Sequence, residues 1–128
     1  MGVKLSNERI VNDAAKLKEI AQKQLQIKAS YAIAKNISKI ESELKIYNKE
    51  REKLIDKYAE KDEKGNIISY ENGNVKFKDD CIDLWNRDIN ELLAIENEIE
   101  IHKFSISLLD NCHISASELI AIDYMIEE

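Results

Sequence analysis

SYAIAKNISKIESELKIYNKEREKLIDKYAE, residues 30–60, carries the most regular apolar spacing in the chain. Within it Ile33, Ile37, Ile40, Leu44, Tyr47, Arg51, Leu54 and Tyr58 recur at alternating intervals of four and three. An α-helix turns by about 100° per residue, so this spacing holds all of these side chains on one stripe. Lys35, Lys39, Lys45, Lys49, Lys53 and Lys57 fall on the opposite side. The spacing predicts one helix over 30–60, about 45 Å long at about 1.5 Å per residue. It should carry a coiled-coil-like apolar stripe and a solvated basic face. Arg51 interrupts the stripe. Its stem can pack while the guanidinium snorkels to a carboxylate; the sharper alternative is a register-setting ion pair with the acidic half of the chain.

Toward the N-terminus, Ile10, Ala14, Leu17 and Ala21 again keep helical spacing, and Ser6 can accept from a free amide of the first turn. A helix over 7–22 follows. The two stripes are out of phase across 23–29, which predicts a turn and makes 7–60 a helical pair. Downstream, residues 62–66 should end the long helix, with Gly65 as its left-handed cap. Asn72-Gly73 lies between the β-prone runs 67–70 and 75–77, a hairpin signal that predicts a β-hairpin over 65–78. Asp79, Asp80 and Asp83 then complement the dipole at the start of a helix over 79–95, whose apolar face is Ile82, Trp85, Ile89 and Leu92.

Beyond residue 95 two periods compete. Ile99, Ile101, Phe104, Ile106 and Leu108 fit alternation, whereas Ile95, Ile99, His102, Ile106 and Leu109 fit a helix continuation. The density of β-branched residues favours a strand over 98–107, joined to the hairpin in a small antiparallel sheet. Ser115 and Glu118 form a capping box that opens a C-terminal helix over 116–126. No internal repeat is read. The fold class is α+β, mostly α: a long helical hairpin or coiled-coil-like bundle with a small antiparallel β-element, with 1–128 as a single domain.

Composition narrows the function classes. The chain is 44% apolar and 34% charged, with no proline and three glycines. That supports a real core and excludes disordered, collagen-like and disulfide-scaffold classes. No run of roughly 18 apolar residues occurs, so no membrane span is expected. A cytoplasmic location follows as an expectation, with Cys81 and Cys112 as free thiols. Residues 1–61 hold 14 basic against 9 acidic side chains, and residues 62–128 hold 5 against 16. The favoured reading is that these halves fold against each other. Head-to-tail or symmetric association is the second reading. Nucleic acid is a disfavoured partner, because the whole chain carries −6.

No phosphate loop, dinucleotide fingerprint, paired-cysteine motif or metalloprotease motif is present. Cys81, Cys112, His102 and His113 together could hold zinc only if the fold assembled them; no metal, cofactor or catalytic residue is expected. Asp79, Asp80 and Asp83 read as helix-start charges. The candidate partner-binding residues are Trp85, Arg87, Tyr70 and Phe77, for their aromatic and guanidinium chemistry. A homo-oligomer, a dimer, is expected, since the stripe over 30–60 is longer than the neighbouring helices can cover.

The layout also resembles a known group. The run Ser30 to Ile40, the run Glu50 to Tyr58, the sequence Asp62-Glu-Lys-Gly-Asn66, the isoleucine-rich Glu98-Ile-Glu-Ile101 and Ile114-Ser-Ala-Ser-Glu-Leu119 carry the likeness. It is to an uncharacterised family of small proteins encoded by phages and prophages of Gram-positive bacteria. The resemblance implies a phage source and a non-catalytic role, and it transfers no functional residue. The expected function is an interaction protein that binds and blocks a host protein, such as a defence factor. The alternatives are a virion or tail-assembly accessory, or an oligomeric sponge for a small anionic signalling molecule.

Overall fold

The computed structural model describes residues 2–110 and 112–127. In chain order the elements are β1 (Gly2–Ser6), α1 (Asn7–Ala21), α2 (Ile27–Tyr58), α3 (Ile82–Ala94), β2 (Glu96–Glu100), β3 (Phe104–Ser105), α4 (Ala116–Ala121) and β4 (Ile126–Glu127). The class is α+β and mostly α. Where length alone reads as one domain, packing divides the chain in two. One unit gathers the chain up to Leu44 with Glu96 onward; the other is Lys45–Ile95.

The first unit is built on α1 and the N-terminal half of α2. Ser6 caps α1 by accepting from the Arg9 N–H at 3.1 Å. Ile10, Leu17 and Ile20 of α1 share a core with Ala29, Ala32, Ile33 and Ile40 of α2. Helix α2 starts three residues before the sequence suggests. Its first turn carries an exposed Ile27 and buries the small Ala29, so no large apolar residue announces it. Asn36, also on this face, is fully buried. Its side-chain amide donates to the His102 carbonyl at 2.9 Å and accepts from the His102 N–H at 2.7 Å.

The strand expected over 98–107 is corrected. β2 covers Glu96–Glu100 and pairs antiparallel with β1, Val3 facing Ile99 and Leu5 facing Asn97. It does not join the hairpin. Residues 101–103 leave the ladder, where the bonds of Asn36 hold the His102 backbone. β3 then pairs parallel with β4. The C-terminal helix is shorter than expected. Its capping box is present, Ser115 accepting from the Glu118 N–H at 3.2 Å and Glu118 from the Ser115 N–H at 3.0 Å. The helix stops at Ala121, and Asp123–Met125 form a 3-10 turn into β4.

Opposite charges meet inside this unit. Arg9 reaches Asp123 at 2.9 Å, and Lys23 reaches Glu118 at 3.4 Å. Residues from the basic half thus pair with residues from the acidic half, as the favoured reading has it.

In the second unit, α2 ends at Tyr58 and not near Glu60. Gly65 does have positive φ, at 84°, but it sits in a tight turn and does not cap the helix. Residues 59–62, 66–70 and 74–78 are three short segments, and each bridges to both of the others: Ala59 with Phe77, Lys61 with Ile67, Ser69 with Val75. Three hydrogen bonds close a ring. Ile68 N–H donates to Glu60, Lys76 N–H to Ile68 and Glu60 N–H to Lys76, all at 2.9 Å. The members lie eight residues apart, and the sequence carries the same period: Glu63-Lys64-Gly65-Asn66-Ile67 returns as Glu71-Asn72-Gly73-Asn74-Val75, a short repeat that the reading without internal repeats missed. Asp62, Tyr70 and Lys78 occupy equivalent places, their carbonyls accepting from Gly65, Gly73 and Cys81. Gly73, like Gly65, has positive φ (87°), which reverses the chain. Cys81 stands in the third glycine position with φ −109°, and there the chain runs on through a 3-10 turn into α3.

Burial follows the expected stripe. Ile33, Ile40, Tyr47 and Tyr58 are buried, and Ile37, Leu44 and Leu54 half-buried, within the chain itself. The chain itself thus covers much of the stripe, with Ile37, Leu44 and Leu54 part-exposed and Arg51 exposed.

Candidate functional site

Three of the four candidate partner-binding residues come together in the second unit. The triangle delivers Tyr70 and Phe77, and α3 delivers Trp85. Phe77 and Trp85 stack with centroids 4.4 Å apart and planes 22° apart. In that geometry the two rings cover one face of each other and leave the rest of the stack part-exposed. With Tyr70 and Val75 it lines an open cleft of about 560 Å³. Arg51 and Ile55 of α2 form the other side, and Asn72 and Asn74 of the second turn lie at its edge. Tyr70 is 56% exposed, although Tyr is large enough to be a core residue. No residue of α3 is fully buried, so this helix offers its apolar side chains only half-covered.

Arg51 is the charged residue of the cleft lining, and no acidic side chain joins it there. Among the described residues it takes part in none of the ion pairs, so the register-setting pair considered from sequence is not formed. The residue that broke the stripe was the legible signal for this site. Ile55, Asn72 and Asn74 carried no such mark.

Arg87, the fourth candidate, does not line the cleft. It pairs with Asp88 at 3.0 Å, a contact that raises the guanidinium's already high pKa. Asp88 also accepts from the Tyr58 hydroxyl at 2.5 Å. That hydrogen bond, with help from Arg87, holds the Asp88 carboxyl below the usual range. Asp88 lines a separate cleft of about 390 Å³ with Glu50, Glu91, Leu54, Leu92 and Ile95, acidic where the first is basic.

The four residues considered for zinc do not form a centre. Among the described residues no three His, Cys, Asp or Glu side chains are grouped as a metal would require. Cys81 and Cys112 are free and half-buried. Desolvation and the neighbouring Asp80 push the Cys81 thiol up, the opposite of what a reactive thiolate needs. Among the described residues no helix is long and apolar enough to cross a membrane. No family model, curated protein or solved structure matches the chain.

Proposed function

We propose that this chain is a non-catalytic interaction protein, encoded by a phage and acting in the cytoplasm of its host, that binds and blocks a host protein through the aromatic cleft of the second unit. The observation that carries this reading is the stacked Phe77–Trp85 pair beside an exposed Tyr70, a concentration of aromatic surface of the kind that anchors protein interfaces. A phage source rests on the resemblance in the sequence. A defence factor is the class of host target that fits a small inhibitor.

Site-specific photo-crosslinking tests it. A photoreactive side chain replacing Tyr70, in Gram-positive cells infected with a phage carrying the gene, should give one dominant host-protein adduct. Trp85→Ala should lose that adduct. Stoichiometric copies of the chain in purified virions, with no host adduct, would favour the virion or tail-assembly accessory instead.

A further inference from the structure

We infer that the cleft takes a short segment of the partner protein in which an apolar side chain stands next to a carboxylate. This rests on the proposed reading of the cleft as a docking surface and adds the chemistry of what docks. The stacked Phe77–Trp85 pair, with Val75 and Ile55 in the same lining, gives the cleft an apolar wall. Arg51 faces the same space with no ion-pair partner among the described residues. A guanidinium beside an aromatic wall matches a carboxylate held close to an aromatic or branched apolar group, because the planar fork binds both carboxylate oxygens at once. The chain as a whole carries −6, yet the lining of this cleft contains no acidic group. An acidic segment therefore meets one guanidinium and no carboxylate in the lining itself. The neighbouring cleft, with Glu50, Asp88 and Glu91, would repel the same segment, which confines it to one place. A nucleotide fits less well. Its phosphates call for several cations or a helix N-terminus, and the lining supplies one cation.

Trp85 is the chain's single tryptophan, so its fluorescence reports on this cleft alone. The full chain is titrated with a capped acidic peptide, acetyl-Asp-Glu-Phe-Leu-Asp-amide, with its lysine counterpart, acetyl-Lys-Lys-Phe-Leu-Lys-amide, and with AMP. The acidic peptide should change the Trp85 emission saturably and the lysine peptide should not. Arg51→Lys should weaken acidic-peptide binding severalfold and Arg51→Ala by about tenfold, the loss expected for a charge-assisted hydrogen-bonded pair. Arg51→Glu should reverse the preference toward the lysine peptide. Circular dichroism of each variant confirms that it is folded. Equal binding of both peptides, no binding of either, or binding indifferent to Arg51 would overturn the acidic-segment assignment. Saturable quenching by AMP alone would overturn it in favour of an anionic small molecule. If the peptide fails while the Tyr70 crosslink persists and still needs Trp85, the inference falls and the docking surface stands. Loss of both removes the surface as well.

Discussion

Asn36 puts a polar side chain at a fully buried position and satisfies it with both backbone groups of one residue, His102. Asn36→Leu keeps the size of the side chain but strands the His102 N–H and carbonyl. We expect a loss of about 2–3 kcal/mol in urea denaturation, since each deprived group costs about 1–3 kcal/mol less whatever water restores. Reading the stripe by large apolar residues found Ile33 and Ile40 beside Asn36, but polarity hid Asn36 itself and small size hid Ala29 and Ala32. Glu118 gives a pH prediction. The Ser115 backbone N–H, and then the Ser115 hydroxyl and Lys23, hold its carboxyl below the ordinary 4.5. Its folded pKa is thus lower than its unfolded one, so the unfolded chain binds more protons and stability rises with pH through this range. The contribution is complete above the unfolded value and is lost as pH falls through the folded one. Denaturation midpoints of Glu118→Gln and wild type, followed downward from about pH 6, should differ least at the acid end. A constant difference across the range would mean that the charge of Glu118 is not what stabilises α4.

Within the elements, α2 was the most legible part of the chain because periodicity is a property of the helix itself. Ile40→Asp buries a charge without a partner and should be severely destabilising. Lys45→Glu, on the exposed face, should shift stability by only about ±0.5 kcal/mol. Thermal melts that rank the two alike would refute the face assignment. The hairpin was half legible. Asn72-Gly73 announced one turn, but the same local pattern at Lys64-Gly65 was absorbed into a helix cap, because an αL glycine serves both devices. Gly65→Ala and Gly73→Ala should each cost about 1–2 kcal/mol, the penalty for a Cβ in the left-handed region. Neither site has a neighbouring atom within 4 Å of the added Cβ, so a clash cannot account for a loss seen in the melts. The pairing of β2 was not legible. Alternation around Ile99 marks a strand but carries no information about its partner, which lies at the opposite end of the sequence.

At the scale of the molecule, cover of much of the stripe by the chain itself predicts light scattering near 14.8 kDa. A larger mass that falls with added salt would assign association to the unequal charge of the two halves. The absence of any fully buried residue in α3, against Ile10, Leu17 and Ile20 in α1, predicts that amides of α3 exchange with solvent sooner than those of α1. The two units differ in how their sequence is arranged. Lys45–Ile95 is one uninterrupted stretch, and every member of its hydrogen-bonded ring lies between Glu60 and Lys76. The other unit pairs β1 with β2 and Arg9 with Asp123, joining residues about a hundred positions apart. The aromatic cleft is therefore lined from one continuous stretch of chain, whereas the core around α1 draws on both ends of the sequence.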